Sequence, residues 1–238
     1  FAEPSYALPI PAAEREAVFG SSPFGLLYSG TFGRAHSYET ILELARLLSS
    51  DDVHLAFSVR GNRKNALRIA VHPEDANISL VPFAAAEAKL EDRLACADVH
   101  VVSLREEWVG TVVPSKFFGA LAIGRPVLFC GDRSSSIAQW IEQYELGWVL
   151  TPENIPDVAA SMRAVLKDPS AMQRWRQRCH QVYGEHFSRA VTVSHWDSLL
   201  RALLDEAHRT DAWQEDAFSR SELRKHVLSK HINRRGAE

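Results

Sequence analysis

Short apolar runs alternate with helical patterns between about residue 24 and residue 150. The runs are rich in Val, Leu and Phe, and they predict strands at 24–29, 53–59, 78–81, 99–102, 126–130 and 148–150. Strands that alternate with helices in this way form parallel sheets covered by helices on both faces. The pattern therefore predicts an α/β fold with a doubly wound parallel sheet.

Helix signals divide the rest of the chain. Ser37 is predicted to cap the first helix after a strand, and a helix near 115–123 should stop at Gly124. After residue 150 only helical patterns remain, and Asp168 and Ser188 stand at two of the predicted starts. We expect a linker at 1–23, a ligand-binding domain with C-terminal helices at 24–208 and a charged helical tail at 209–238.

Composition excludes several classes of protein. The 27 basic and 30 acidic residues give a net charge of −3, which argues against a nucleic-acid partner. The three cysteines are far apart and suit reduced thiols in a cytoplasmic protein, without a disulfide or a zinc site. Apolar stretches fall short of the roughly 20 residues of a membrane-spanning helix. Because the chain begins with Phe1, we expect a fragment or a processed protein.

Two loops after predicted strands have the chemistry of phosphate binding. Ligands of open parallel sheets collect at the carboxyl ends of the strands, where helix N-termini offer unpaired amides. The first loop supplies Gly30, Thr31, Gly33, Arg34 and His36. Its glycines permit close backbone approach and Arg34 offers a forked cation, although an ordinary tight turn has the same pattern.

The second loop runs from residue 106 to residue 116 and enters a helix at its end. Its candidate ligand-binding residues are Glu107, Gly110, Thr111, Val112, Ser115 and Lys116. Lys116 would add a point charge at the positive end of a helix, but a plain helix start accounts for the same residues. A basic turn with Arg60, Gly61 and Lys64 follows the second strand, either as part of the site or as a solvated turn. Val81, Pro82 and Phe83 end the third strand and could border a base or belong to the core.

The motifs in this order resemble the family-4 (group 1) glycosyltransferases. The sharpest match is VPSKFFGALAIGRPVLF at 113–129, and LYSG at 27–30, GRAH at 33–36, VPF at 81–83 and ADVHV at 97–101 support it. Residues 113–129 look like the subfamily of surface-polysaccharide aminosugar transferases. The resemblance implies the Rossmann-like C-terminal domain of a two-domain, GT-B enzyme of bacterial type.

The resemblance also implies a function for each motif. Residues 30–34 and Lys116 would hold the diphosphate of a nucleotide sugar, residues 81–83 would border the base, and residues 110–112 would meet the distal phosphate and sugar. A retaining transfer from a UDP-sugar to a glycan or lipid-linked acceptor is expected. It would need an N-terminal acceptor-binding domain that this chain lacks, so the chain alone would bind without turnover. The full-length enzyme could associate peripherally with the inner face of the membrane.

This sequence departs from the family at several positions. Many members have a Glu-x7-Glu signature, and Thr111 and Gly119 stand at those two places. Thr40 stands where a lysine is usual. Glu106 or Glu107 could reach sugar hydroxyls instead, although an adjacent acidic pair in a loop commonly faces solvent. These departures leave the sugar contacts and the catalytic residues unassigned.

No cofactor is expected. The sequence lacks an Asp-x-Asp motif, so side chains and amides rather than a metal ion would hold the leaving diphosphate. Two alternatives remain open. A nucleotide-sugar epimerase would need acid–base groups in the cleft, for which His36 is the candidate, and a non-catalytic interaction module would use the tail at 209–238 to bind a partner.

Overall fold

The computed structural model describes residue 4, residues 6–83 and residues 90–209. The strands are β1 Phe24–Thr31, β2 Val53–Arg60, β3 Ile78–Leu80, β4 Val99–Ser103, β5 Val127–Cys130 and β6 Gly147–Leu150. The helices are α1 Ala12–Phe19, α2 Glu39–Leu47, α3 Lys64–Ala70, α4 Leu90–Ala95, α5 Lys116–Ala122, α6 Ser136–Tyr144, α7 Ile155–Leu166, α8 Pro169–Val182 and α9 Arg189–Arg209. A π-helical turn, Tyr183–Phe187, follows α8.

The strands form one six-stranded parallel sheet with the order β3-β2-β1-β4-β5-β6. The strand order reverses between β1 and β4, which is the point where such sheets bind ligands beyond their carboxyl ends. β1 and β2 pair in register to their last residues, so Thr31 lies beside Arg60 at the edge. The predicted doubly wound sheet is confirmed. The first and last residues of each predicted strand lie within two residues of those observed.

Two apolar layers hold helices on the two faces of the sheet. On one face α2 and α7 pack over Leu26, Leu55 and Leu128, all at most 1% exposed. On the other face α5 and α6 pack over Val102 and Phe129, which are fully buried. Because helices cover both faces of the sheet, the strand sequences are continuous apolar runs.

The helix boundaries confirm some sequence signals and correct one. Gly124 follows α5 with a φ of 72°, and the side chain of Asp168 accepts a hydrogen bond from the amide of Ser170 at the start of α8. The predicted cap by Ser37 is wrong, because α2 begins at Glu39 and the capping position is that of Tyr38, whose side chain makes no cap hydrogen bond. The amide of Ser37 donates to Ser103 Oγ, which connects the segment before α2 to the end of β4.

The predicted linker at 1–23 contains α1. Val18 and Phe19 of this helix are at most 4% exposed and pack against Leu27 and Ala56 of the sheet. The described part of the segment after residue 11 is therefore integral to the folded unit.

The described residues divide into two compact units, one ending at Ser188 and the other beginning at Arg189. The predicted domain at 24–208 thus extends across both units. In the second unit, α9 exposes half or more of six large apolar side chains, namely Val193, Trp196, Leu199, Leu200, Leu203 and Leu204. Residues 210–238, most of the predicted tail, lie outside the described residues. Within the described part of the chain, we find no helix that is both long and apolar enough to cross a membrane.

Candidate functional site

A cavity of about 590 Å³ opens at the carboxyl ends of β1 and β2, between α4 and α5. It borders the switch point of the sheet, where the resemblance places the ligand. Its lining residues are Ser29, Gly30, Thr31, Arg60, Phe83, Leu90, Leu94, His100, Val101, Ser115, Lys116, Phe118, Gly119, Ala122 and Tyr183. We refer to it as the rim cavity.

Lys116 is the central cation of the rim cavity. Its Nζ donates a hydrogen bond to the carbonyl oxygen of Thr31 at 3.1 Å and lies 5.4 Å from the centroid of the Tyr28 ring. Burial lowers the pKa of the ammonium from its usual value. An ammonium has three donors, so the hydrogen bond to Thr31 leaves capacity for an anionic ligand.

Gly30 makes room for this lysine. A Cβ atom at Gly30 would lie 2.6 Å from Lys116 Cε, and the φ of Gly30 is 129°, a backbone conformation that side chains disfavour. A glycine at the end of β1 is therefore needed for Lys116 to reach the carbonyl of Thr31.

Arg60 supplies a second cation at the mouth of the rim cavity. Its guanidinium carbon lies 5.0 Å from the centroid of the Phe83 ring, a cation–π contact that joins the ends of β2 and β3. The arrangement places a planar, charged group and an aromatic ring side by side at the cavity edge.

The charged residues described at the rim cavity are of one sign. Lys116 and Arg60 are cationic, and no carboxylate occurs among the described residues that line it. A second cavity of about 670 Å³ at the ends of β4, β5 and β6 is lined by Glu106, Glu107, Asp132 and Glu153 but only by two arginines, Arg105 and Arg133. Coulomb energy therefore favours a polyanion in the rim cavity over this neighbour.

The loops beside the rim cavity are fixed to each other. Gly61, with a φ of 120°, lies so close to Phe32 that a Cβ atom would be 2.5 Å from the Phe32 carbonyl oxygen. Arg63 donates to the carbonyl of His36 and lies 5.2 Å from the Tyr38 ring centroid. These contacts hold the segment after β1 against the segment after β2.

His36 also has a fixed position. Its Nδ1 lies 2.7 Å from the carbonyl oxygen of Ser103, so Nδ1 carries the proton in this arrangement. Its ring stacks on Phe32 with the centroids 5.8 Å apart. Burial lowers the pKa of His36, and the nearby charges of Lys116 and Arg63 lower it further. The imidazole is therefore neutral at pH 7 and connects the end of β4 to the loop after β1.

The rim cavity brings together a subset of the residues that the sequence singled out. Gly30, Thr31, Arg60, Phe83, Ser115 and Lys116 line it. The remaining candidates do not line it, and they are Gly33, Arg34, His36, Gly61, Lys64, Val81, Pro82, Glu107, Gly110, Thr111 and Val112. Arg34 and Lys64 are exposed, and Glu107 pairs with Arg105 at 3.1 Å. Thr111 Oγ1 donates to the carbonyl of Trp108, which closes the loop on itself.

Several lining residues carried no signal in the sequence. Leu90 and Leu94 come from α4, Phe118 and Ala122 from α5, and Tyr183 from the turn after α8. They form an apolar part of the cavity lining. Helical periodicity marks such residues as apolar, but only the packing of distant segments shows that they face an open space.

His100 lies at the base of the cavity. It is 4% exposed, and its Nε2 lies 2.8 Å from the carbonyl oxygen of Leu94. Burial lowers its pKa to about 4, so the ring is neutral at pH 7. Among the described residues, no group of three or more His, Cys, Asp and Glu side chains is arranged to hold a metal ion.

Sequence comparison connects this chain to glycosyltransferases. It is 25% identical over 187 residues to the probable glycosyltransferase WbjE of Pseudomonas aeruginosa, covering 76% of this chain and 44% of the relative. It is 25% identical over 146 residues to the putative colanic acid biosynthesis glycosyl transferase WcaI of Escherichia coli K12, covering 60% of this chain and 36% of the relative. The chain therefore spans less than half the length of either relative. No family model matches the sequence.

Solved structures agree on the fold. A TarM variant of S. aureus, crystallised with UDP among its ligands, superposes with a TM-score of 0.62 at 14% identity, covering 84% of this chain and 37% of TarM. The C-terminal domain of LpcC, a group 1 glycosyltransferase of Francisella tularensis, superposes with a TM-score of 0.58 at 12% identity, covering 77% of this chain and 97% of that domain.

The sheet topology and these likenesses define a Rossmann-like fold, which matches that of the Rossmann-like domains of GT-B glycosyltransferases. In sequence the chain is similar to group 1 glycosyltransferases, as its motifs indicated.

Proposed function

We propose that this chain is the donor-binding domain of a retaining glycosyltransferase and that the rim cavity binds the diphosphate of a nucleotide sugar, a UDP-sugar in the first instance. The observation that carries the proposal is the pairing of two cations, Lys116 and Arg60, with no carboxylate among the described lining residues, at the switch point of the sheet.

The chemistry of donor cleavage fits these groups. Transfer breaks the bond between the anomeric carbon of the sugar and an oxygen of the diphosphate, so negative charge accumulates on the departing diphosphate. Lys116 Nζ and the guanidinium of Arg60 would stabilise that charge in a partly desolvated cavity, where electrostatic stabilisation is strongest. We propose that these side chains hold the diphosphate without a metal ion.

The loop candidates that do not line the rim cavity would contact a different part of the ligand. Arg34 and residues 110–112 lie in the segments after β1 and β4, which flank the switch point. We propose that they contact the ligand only where it extends beyond the rim cavity, towards its sugar. Val81 and Pro82 support Phe83, since the carbonyl of Pro82 accepts hydrogen bonds from Ser58 Oγ and Arg93.

The relatives suggest the biological setting. TarM has been crystallised with UDP, and the WcaI relative is named for colanic acid biosynthesis. We infer that the donor is a UDP-sugar and that the acceptor is a glycan or a lipid-linked sugar of surface-polysaccharide assembly in the cytoplasm. Because the chain spans less than half of either relative, we propose that turnover requires a further, acceptor-binding domain.

A ligand screen tests the binding proposal. The 238-residue chain is mixed with UDP, GDP, ADP and their sugars, and the midpoint of thermal unfolding is measured, because a ligand that binds the folded state raises it. We expect UDP or a UDP-sugar to give the largest rise. Titration calorimetry then compares Lys116→Met with Lys64→Met, an exposed lysine outside the rim cavity.

The expected loss of UDP affinity is roughly 10- to 100-fold for Lys116→Met, from the loss of a charge-assisted hydrogen bond, and less than about twofold for Lys64→Met. Equal affinities for the two variants, or no nucleotide binding by the unaltered chain, would contradict the proposal. Incubation with UDP-N-acetylglucosamine followed by product analysis tests the epimerase alternative, which the tethered Nδ1 of His36 disfavours. Binding of a protein partner through residues 209–238, without any nucleotide binding, would favour an interaction module.

A further inference from the structure

A cavity of about 720 Å³ lies at the amino ends of the strands, on the opposite edge of the sheet from the rim cavity. Its lining includes Phe24, the first residue of β1, and Asp52 and Asp98, which directly precede β2 and β4. We refer to it as the amino-edge cavity. Because β1 runs from Phe24 to Thr31 at about 3.3 Å per residue, the two cavities are on the order of 20 Å apart.

One face of α8 supplies polar side chains to the amino-edge cavity. Gln173, Arg176 and Gln177 line it, and their spacing of three and four residues places them on the same side of the helix. Gln173 and Gln177 are exposed, and within the described part of the chain neither side-chain amide makes a hydrogen bond. Each of these amides can both donate to a ligand and accept from it.

The guanidinium of Arg176 also keeps unused donors. Its Nη2 pairs with Asp98 Oδ1 at 2.7 Å, whereas its buried Nε makes no hydrogen bond to any described residue. A guanidinium has five N–H donors, and this side chain is 26% exposed. Donors therefore remain for an oxygen atom of a ligand in the cavity.

The charges at the amino-edge cavity are balanced, unlike those described at the rim cavity. The carboxylates that line it are Asp51, Asp52 and Asp98. Asp51 pairs with Arg163 at 2.9 Å, and Asp98 pairs with Arg15 at 2.8 Å as well as with Arg176. Three arginines thus offset three carboxylates, so Coulomb energy favours neither a polyanion nor a polycation. Carboxylates that are paired in this way still have lone pairs to accept hydrogen bonds from neutral hydroxyls.

Apolar side chains complete the lining of the amino-edge cavity. They include Leu8, Phe24, Val165, Leu166 and Met172. A sugar ring carries hydroxyls around its edge and C–H groups on its faces, so it can use polar and apolar side chains together. The volume lies within the range of about 300 to 1,000 Å³ that is usual for ligand sites.

We propose that the amino-edge cavity is a second binding site, which takes an uncharged oligosaccharide. Sugar hydroxyls donate to the carboxylates at the strand ends and accept from Gln173, Arg176 and Gln177, while the C–H groups of the ring contact Met172 and its apolar neighbours. This site is separate from the donor site proposed at the rim cavity. The two sites are occupied independently, and the oligosaccharide needs no nucleotide in order to bind.

A glycan array tests the class of ligand. The fluorescently labelled chain is applied to uncharged, acidic and amino-bearing tri- and tetrasaccharides, with and without an excess of UDP. We expect uncharged oligosaccharides to give the strongest signals and UDP to leave those signals unchanged. Binding only to charged oligosaccharides, or to none, would overturn the inference. Loss of the signals on addition of UDP would place the sugar in the rim cavity and overturn it as well.

Titration calorimetry then locates the site, with the uncharged tetrasaccharide that gives the strongest signal as the probe. Gln173→Ala, Gln177→Ala and the double variant are compared with Gln181→Ala. Gln181 is the matched control, because it is exposed one turn further along α8 and does not line the amino-edge cavity. Thermal unfolding of each protein is recorded in parallel.

We expect each single change in the cavity to lower the affinity for the tetrasaccharide roughly three- to tenfold, because each removes hydrogen bonds to the ligand, and the double change to lower it more. Gln181→Ala should change it less than about twofold. Alanine favours the helix and the replaced side chains are exposed, so the unfolding midpoints should not fall. Tetrasaccharide affinity that is unchanged in the double variant, or equally reduced in Gln181→Ala, would overturn the inference. A chain that binds the tetrasaccharide but not UDP would overturn the proposed function and leave this site standing.

Discussion

Lys116 Nζ lies 3.1 Å from the carbonyl oxygen of Thr31, although the two residues are 85 positions apart in the sequence. The bond joins the first turn of α5 to the end of β1 across the switch point of the sheet. It fixes the ammonium where the rim cavity opens, beside the ring of Tyr28. The charge is thus in place before any ligand binds, which lowers the entropic cost of binding an anion.

The lowered pKa of Lys116 predicts a pH dependence of UDP binding. Only the protonated ammonium attracts the diphosphate, and burial favours its neutral form. We expect UDP affinity to fall as the pH rises, at a lower pH than the ordinary lysine pKa of about 10.4 would give. Calorimetry across this pH range measures how UDP affinity changes with pH. The same series for Lys116→Met gives the part of that change that comes from titration of UDP itself. Identical pH profiles for the two proteins would show that Lys116 does not titrate against bound UDP.

Arg60 and Arg34 give a second prediction about binding. Both side chains are exposed. Arg34 follows β1 and Arg60 is the last residue of β2, but only Arg60 lines the rim cavity. We expect Arg60→Met to weaken UDP binding by roughly three- to tenfold, since an exposed cation is partly screened by solvent, and Arg34→Met to weaken it less. Calorimetry with UDP is the measurement. A larger loss for Arg34→Met would mean that the diphosphate lies on the loop after β1 instead.

The sequence predicted the sheet well because each strand is short, apolar and separated from the next by a helical pattern. It predicted the convergence of the segments after β1 and β4 because carboxyl ends of parallel strands share one edge. It could not show which side chains of those segments face inward. Arg34 follows Gly33 in a turn that leaves it exposed, whereas Arg60 ends β2 directly beside Thr31 in the sheet register.

The apolar part of the rim-cavity lining could not be predicted from the sequence for a different reason. Leu94 and Tyr183 come from segments almost 90 residues apart, and each has an apolar pattern that fits a packed core equally well. Only the tertiary arrangement leaves space between α4 and α5. The cap predicted at Ser37 is wrong for a local reason, since α2 begins at Glu39 and Tyr38, not Ser37, is the residue that precedes it.

His100 predicts how stability changes with acidity. Its pKa is about 4 in the folded chain and about 6.5 when exposed, so the unfolded chain binds an extra proton between these values. Its stabilising effect is complete above pH 6.5 and is lost as the pH falls towards 4, by on the order of 3 kcal/mol in total. Denaturant unfolding between about pH 4 and pH 7.5 should show a shallower slope for His100→Gln than for the unaltered chain. Equal slopes for His100→Gln and for the unaltered chain would refute this origin of the pH dependence.

Gly61 and Gly110 were both candidates for ligand contact, and the structure separates them by what surrounds them. Both have a positive φ, but only Gly61 faces a neighbour, since a Cβ atom added there would lie 2.5 Å from the carbonyl oxygen of Phe32. We expect Gly61→Ala to lower the free energy of unfolding by about 3 kcal/mol, from conformational strain plus the clash, and Gly110→Ala by about 1 kcal/mol, from strain alone. Chemical denaturation measures both. A Gly61→Ala protein as stable as Gly110→Ala would mean that the loop after β1 adjusts without cost.

Asp98 shows that one residue of the motif at 97–101 acts on stability. Its carboxylate accepts a hydrogen bond from the amide of Gly25 at 2.9 Å and pairs with Arg15 at 2.8 Å and Arg176 at 2.7 Å, and the residue is 5% exposed. Removing it leaves two arginines of α1 and α8 without their shared anion.

We expect Asp98→Ala to lower the free energy of unfolding by about 3 to 5 kcal/mol, as is usual when one partner of a buried ion pair is removed. Glu142→Ala is the control, because its pair with Arg133 is exposed and should contribute less than about 1 kcal/mol. Urea titrations of the two variants provide the comparison. Similar losses in both would mean that water replaces the carboxylate between α1 and α8, and that the charge of Asp98 is not what joins these helices to the start of β1.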